Sequence, residues 1–500
     1  MLIEQIKTKS SLPYSLYLSQ QIKDHEGRAA ELAGSSLYEL MQRAGESCYQ
    51  VFATQFPEAK RVLVLTGRGN NGGDGYIFAA SAKDAGLVVQ LCHMGDPADL
   101  IGDAARARDA WRAKQGVIDS IEQIDFSKAD IIVDALLGTG LSGPLRVEYQ
   151  RLICKINQAD KPVLSVDIPS GLSADSGAVS DIAVKATATV TFVGLKQGLF
   201  TARASDYCGQ IYFSDLGIRE QFSLLATTTV SRISYDKLCG LLAPRSRVSN
   251  KGAFGKTLLI GGNVGMPGAL RLAGEAALRT GSGLVKVLTH PQNQLMVTSG
   301  RPELMLESFA QEKLDNNTLC DWASNVVIGP GLGKDDWAKK LFNSVLASDL
   351  PIVLDADGLN LLAANPQRNN NWVLTPHPGE AARLLGCSVA QIEQDRFAAV
   401  RELQCCFGGV VVLKGAGTLI CDDKWIYVAN VGNPGMASGG MGDVLSGIIG
   451  GLVAQGLNLA QAAMLAVCIH GLAGDLAADS NERGLLASDL FPYIRKLVNP

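Results

Sequence analysis

Arg61-Val-Leu-Val-Leu-Thr-Gly-Arg-Gly-Asn-Asn-Gly-Gly-Asp-Gly-Tyr-Ile-Phe-Ala-Ala-Ser-Ala-Lys-Asp-Ala85 sets the fold class. Its first six residues carry the continuous apolar run Val62-Leu-Val-Leu65, the pattern of a strand buried on both faces. A glycine-rich loop is expected over residues 67–75 and a helix over 76–85. Working outward, Leu37, Leu40, Met41, Ala44, Cys48, Val51 and Phe52 recur at helical spacing, so residues 36–56 read as an amphipathic helix. Further strands are expected at 87–93, 130–134, 162–168 and 186–193. Strands that alternate with helices and end in glycine-rich loops indicate a parallel α/β sheet. The rhythm breaks between 220 and 245. A second series follows at 256–260, 283–289, 325–328, 351–354 and 372–375, with a helical pattern over 269–279. A strand at 410–413 precedes a hairpin, 418–421 and 425–429, turning over Asp422-Asp423. Two α/β domains are therefore expected, residues 1–225 and 235–500.

Five hundred residues accommodate two or three such domains. The net charge of −4 gives no bulk attraction to nucleic acid, so any phosphate must be held by local loops. The eleven cysteines show no metal-ligand spacing, and Cys405-Cys406 falls in an apolar run. Buried thiols in a reducing cytoplasm are expected. Residues 1–15 lack the apolar stretch of a signal peptide. Residues 444–467 are the most membrane-like, but glycines, Gln455, Asn458 and Gln461 interrupt them. They read as two buried helices joined at Gln455-Gly456, and no membrane partner is expected.

The chemistry sits at strand ends, where open α/β sheets bind ligands. In the first half, Asn70, Asn71 and Asp74 follow one strand, Asp134 ends another, and Asp167 ends a third ahead of Ile168-Pro-Ser-Gly171. Any one of these reads as a cap or Asx-turn; the three together read as a site. In the second half, Asn433-Pro-Gly-Met-Ala-Ser-Gly-Gly-Met-Gly-Asp443 feeds the apolar helix pattern of Val444, Leu445, Ile448 and Ile449. Converging backbone amides at a helix start make an anion site, usually for phosphate. Asp443 is then either a helix N-cap or a base that takes a proton from a hydroxyl attacking phosphorus. His377, between prolines with Glu380 one turn on, is a ligand contact or a structural residue. Lys414 is a diphosphate contact or a snorkelling surface lysine.

GNNGGDG (69–75), VDALLGTGLSGP (133–144) and VDIPSGL (166–172) resemble the N-terminal epimerase domain of the bifunctional NAD(P)H-hydrate repair enzymes, over roughly residues 20–220. HPGE (377–380), LKGAGT (413–418) and NPGMASGGMGD (433–443) resemble the dehydratase domain of the same family, over roughly 245–495. Many ribokinase-like kinases carry Ala at Met441, so GMGD points to the dehydratase branch. The resemblance implies a Rossmann-like three-layer sandwich followed by a ribokinase-like domain. It implies that Asn70, Asn71, Gly72, Gly73, Asp74, Gly138, Thr139, Gly140, Leu141, Ser142, Gly143 and Pro144 line the hydrated dinucleotide. Potassium is implied on Asn71, Asp134 and Ser170, and acid–base chemistry on Asp167 with Lys196 beside it. For the dehydratase it implies that Ala253, Gly331, His377 and Asp443 meet the hydrate. ADP, with Mg2+, is implied on Lys414, Gly415, Ala416, Gly417, Thr418, Asn433, Gly435, Met436, Ser438, Gly439, Gly440, Met441 and Gly442.

The family chemistry so implied starts from NADH or NADPH hydrated at ring carbon C6, in R and S forms. One domain interconverts the epimers. The other phosphorylates the S-form hydroxyl from ADP (ATP in eukaryotic members), and loss of phosphate restores NAD(P)H. A homo-oligomer built through the C-terminal domains is implied as well. Two alternatives remain at this point: a small-molecule kinase fused to a Rossmann-like regulatory domain, and a non-catalytic nucleotide sensor.

Overall fold

A computed structural model describes residues 6–7, 11–140, 143–307 and 320–499. The chain divides into two compact units, Met1–Val230 and Ser231–Pro500.

The first unit is built on a sheet with the order Ile6–Lys7, Gln210–Ser214, Ala188–Phe192, Val163–Val166, Ile131–Ala135, Arg61–Thr66, Val88–His93, Asp119–Ser120. Only Ile6–Lys7 runs antiparallel to its neighbour. From Arg61–Thr66 the chain first builds toward one edge, then returns to Ile131–Ala135 and builds toward the other. The strand order therefore reverses between these two strands, and a crevice opens at their carboxyl ends. Helices Leu37–Gln55, Asn70–Asp84 and Gly102–Ala113 pack on one face through Met41, Ala44, Phe52, Phe78 and Trp111. Val147–Gln158 packs on the other, its Leu152, Ile153 and Ile156 against Leu63, Leu65 and Ile132. This is the three-layer arrangement.

One sequence expectation fails here. The helix after Arg61–Thr66 starts at Asn70, so residues 70–74 form its first turns. The loop is short because Gly72 lies against the backbone: a Cβ there would sit 2.1 Å from the Gly67 carbonyl oxygen. Glycine suppressed the helical signal while making the close packing possible.

The second unit has the order Met305–Glu307, Leu284–Leu288, Lys256–Ile260, Asn325–Ile328, Ile352–Leu354, Trp372–Leu374, Val410–Leu413, all parallel. The antiparallel Thr418–Cys421 and Ile426–Ala429 extend one edge, and Val230–Ile233 lies beside the last of them. Here the order reverses between Lys256–Ile260 and Asn325–Ile328. The loops beyond those strands interlock, with Gly262 N–H donating to Pro330 O (3.0 Å) and Asn263 N–H to Gly331 O (2.7 Å). The apolar stretch near the C-terminus forms two buried helices, Met441–Ala454 and Leu459–Ala478. Met441–Ala454 lies tight against Pro267–Thr280: a Cβ on Gly447 would fall 2.2 Å from Ala273 O, and one on Gly451 would fall 3.0 Å from Ala277 O.

Cys405 and Cys406, expected to be buried, are both exposed. Helix Arg396–Phe407 buries Phe397, Val400, Leu403 and Phe407 at helical spacing, which turns the pair outward.

Candidate active sites

In the first unit a cleft of about 670 Å³ opens at the reversal of strand order. Asn70, Asn71, Asp74, Gly138, Thr139, Gly140, Pro144, Asp167 and Lys196 line it. So do Arg68, Tyr149 and Glu26, which the motifs did not point to. At its floor Lys196 Nζ donates to Asp167 Oδ1 (2.5 Å), Thr191 Oγ1 (3.1 Å) and Phe192 O (3.0 Å). The Lys196 side chain is 3% exposed and that of Asp167 15%, so this ion pair is largely withdrawn from water. Asp167 has φ 65°. Ile168 N–H donates to Val166 O (2.8 Å) across it. A non-glycine residue at the centre of such a γ-turn is strained, typically by ~1–3 kcal/mol. The turn holds the carboxylate at the strand end.

Behind that wall Asp134 is fully buried. Its oxygens accept from Ser170 Oγ (2.6 Å), Ser170 N–H (2.9 Å) and Ser165 Oγ (2.9 Å). Burial raises its pKa, and these hydrogen bonds only partly oppose the rise. Among the described residues no cation pairs with it. Both polar atoms of the Asn71 amide are buried without a hydrogen-bond partner. Burial also pushes Asp74 well above the usual carboxylate range; Asp167 and Glu26 add to the push and Lys196 opposes it.

In the second unit four charged side chains converge. Lys414 Nζ donates to Asp355 Oδ1 (2.9 Å) and lies 3.7 Å from Glu380 Oε2. Asp355 Oδ1 also accepts from Thr375 Oγ1 (2.9 Å). Burial works against the Lys414 charge, but Asp355, Glu380 and Asp443 outweigh it and raise its pKa. Asp443 lies in the first turn of Met441–Ala454 and does not cap it. The cap position is Gly440, at φ 91°. Burial, then Asp355 and Glu380, push the Asp443 carboxyl up to about 7, against the pull of Lys414. Gly442 keeps this corner open: a Cβ there would sit 3.2 Å from Lys414 Nζ and 3.6 Å from Asp355 Oδ2. His377 caps helix Pro378–Leu385, its Nδ1 accepting from the N–H of Gly379 (2.9 Å) and Glu380 (3.3 Å). Burial and Lys414 lower its pKa, so it caps as the neutral ring.

A family model described as NAD(P)H-hydrate dehydratase matches residues 257–496, and one described as YjeF-related protein N-terminus matches 37–198. A bifunctional NAD(P)H-hydrate repair enzyme of Coxiella burnetii is 50% identical over 97% of this chain and 99% of its own length. The chain belongs to the bifunctional NAD(P)H-hydrate repair enzymes. The Escherichia coli K12 member is 46% identical over 99% of this chain and 96% of its own. Among solved structures, a ribokinase-like superfamily protein of Enterococcus faecalis is 31% identical. It has a TM-score of 0.50 and covers 55% of this chain and 98% of its own. Members of this family repair hydrated NAD(P)H with an epimerase and a dehydratase in one chain, and this chain carries both domains.

The other motif residues have these places in the structure. In the epimerase unit Gly72 and Gly73 are buried packing positions; a Cβ on Gly73 would meet Met41 Sδ at 2.6 Å. Gly143 is exposed, and Leu141 and Ser142 lie outside the described residues. In the dehydratase unit Ala253 is exposed on a short turn, Lys251–Phe254. Gly331 sits at φ 58° in the interlocked loops. Asn433 is committed to structure: its Oδ1 accepts from Gly435 N–H and its Nδ2 donates to Asp475 (both 3.0 Å). Met436 packs against Gly474, and Ser438 donates to Leu485 O (3.1 Å). Gly415, Ala416, Gly417 and Thr418 form the turn after Val410–Leu413, closed by Thr418 Oγ1 on Gly415 O (3.0 Å). The residue the motifs missed here is Asp355. It directly follows strand Ile352–Leu354, so the strand-end rule could have found it.

Proposed function

We propose that the first unit is the epimerase of R and S NAD(P)H hydrates and the second the ADP-dependent dehydratase of the S form. Asp443 carries the second assignment. A carboxyl pushed to about 7 is poised to take a proton near neutrality. In this reading Asp443 accepts the C6 hydroxyl proton as that oxygen attacks the terminal phosphorus of ADP. The N–H groups of Gly439, Gly440, Met441 and Gly442, at the start of Met441–Ala454, receive the phosphate charge. One well-placed donor of this kind is typically worth ~3–4 kcal/mol in the transition state. Lys414 balances the diphosphate. Phosphate then leaves C6 where hydroxide would not, and AMP, phosphate and NAD(P)H are released.

Mg2+ would be drawn to the same corner, where Asp355, Glu380 and Asp443 outweigh one ammonium, although among the described residues these carboxylates do not form a ready-made metal-binding cluster. Carboxylate oxygens are its usual protein donors, and when bound it would neutralise phosphate charge. Potassium fits the epimerase unit. The unpartnered Asn71 amide, the uncompensated Asp134 carboxylate and the Ser170 hydroxyl are hard oxygen donors. When bound, such an ion would offset the Asp134 charge and fix the strand ends that carry Asp167. That all eleven cysteines are free thiols agrees with a cytoplasmic site of action. The family resemblance supports a homo-oligomer.

The test is to incubate the protein with mixed NADH hydrates and ADP while following NADH recovery and phosphate release. Recovery of both epimers with one phosphate per NADH supports the reading. A stable phosphorylated product would favour a kinase, and ADP binding without turnover a sensor.

A further inference from the structure

By the route that keeps the ring closed, inverting C6 breaks a carbon–oxygen bond on one face of the ring and forms one on the other. One carboxyl cannot serve both faces. The epimerase cleft offers more than one. Helix Ser19–Leu32 turns Ser19, Ile22, Lys23 and Glu26 into it, the spacing of a single helix face. Its start is pinned by Asp175, which accepts from Ser19 N–H (2.7 Å) and Ser19 Oγ (2.9 Å). The family match begins at residue 37, so this helix lies outside it. The Glu26 carboxyl is close enough to Asp167 and Lys196 to feel both charges. Asp74 comes from the first turns of helix Asn70–Asp84 and Asp167 from a strand end; Glu26 is the carboxyl brought in by the separate helix Ser19–Leu32.

We propose that Glu26 is the second proton-transfer residue of the epimerase cleft, acting on the face of the ring opposite Asp167; this rests on the reading of Asp167 as its acid–base partner. In one direction Glu26 gives its proton to the C6 hydroxyl, and the C6–O electron pair leaves with the oxygen as water. The lone pair on N1 forms the C6–N1 double bond. Water then adds to C6 from the other face, its oxygen supplies the new bond pair, and Asp167 takes its proton. The reverse reaction exchanges the roles, and solvent exchange resets the two carboxyls. The resting states suit this. Asp167 is paired directly with Lys196 (2.5 Å). The Glu26 pKa is raised, first by burial and then by Asp167, against Lys196 and Lys23. Lys23 on its own helix, and Asp167, Lys196 and Asp74 from other elements lining the same cleft, are the charged groups that act on it.

The experiment follows conversion of R to S hydrate without ADP, across pH, in the full chain. The variants are Glu26→Gln, Glu26→Asp and Asp167→Asn. Glu26→Gln is expected to lower kcat by ~10² or more with KM little changed. It should also abolish the alkaline limb of the rate profile, while Glu26→Asp keeps that limb. ADP-dependent dehydration of the S form, measured on the same samples, should stay unchanged and reports an intact chain. An unchanged rate in Glu26→Gln overturns the proposal. So does an equal loss in both Glu26 variants with the alkaline limb intact, which marks a structural role. Full epimerisation in Asp167→Asn would instead sink the Asp167 reading, and the two failures are distinguishable.

Discussion

Replacing Asp443 by Asn should make the protein more stable and nearly inactive as a dehydratase. The carboxyl moves from 3.8 to about 7 on folding. Because the folded pKa is raised, the folded state keeps a proton that the unfolded chain releases between about pH 4 and 7. Stability therefore falls as pH rises through that window and levels off above it. At 1.36 kcal/mol per pKa unit the full cost is about 4 kcal/mol above pH 7 and vanishes below about pH 4. Asn keeps the shape without the charge, so the gain over the parent should be roughly 1.6 kcal/mol at pH 5 and reach up to ~4 kcal/mol at pH 8. Calorimetric unfolding at the two pH values measures it. Dehydration should drop by ~10²–10⁴, the range for a positioned base. ADP affinity should hold or improve, since a negative charge beside the diphosphate is gone. In the parent, kcat/KM for dehydration should fall as pH drops through about 7, and the variant should lose that limb. A variant less stable than the parent at pH 8, or shifted equally at both pH values, would refute the reasoning. So would loss of ADP binding along with activity.

Gly442→Ala places a methyl group 3.2 Å from Lys414 Nζ. It should raise helix stability by up to ~1 kcal/mol while cutting dehydration at least ~10-fold, read by melting temperature and NADH recovery on one sample. Asp134→Asn should remove any potassium dependence of epimerisation, compared in potassium and sodium buffers; a parent equally fast in both would count against the ion. Residues 229–500 keep strand Val230–Ile233 on its sheet edge. This fragment should dehydrate only the S form, with R hydrate disappearing no faster than it epimerises spontaneously.

Strand positions were readable because buried parallel strands are unbroken apolar runs. Asn325–Ile328 and Val410–Leu413 fall where the pattern puts them. The start of Asn70–Asp84 was not readable, since Gly72 and Gly73 weaken helical propensity and are tolerated only through packing absent from the local sequence. The site was legible where chemistry follows a strand end, as at Asp167 and Lys414. Glu26 was not, because an exposed-looking glutamate on an amphipathic helix carries no mark of the cleft it faces. The Cys405-Cys406 pair misled because apolar neighbours were read without helical phase.

The seam between Met441–Ala454 and Pro267–Thr280 makes the dehydratase vulnerable at a distance. Gly447 and Gly451 act as a bearing surface, seated against the carbonyls of Ala273 and Ala277. Asp443 sits at the far end of the same rod, about 12 Å from Gly451 at 1.5 Å per residue. A single methyl group added at Gly447 has nowhere to go but into the neighbouring backbone, so it tips the rod and swings its tip. Harmful variants of this unit should thus include small-residue changes that touch no ligand, and a purified, folded and inactive protein is how they would present.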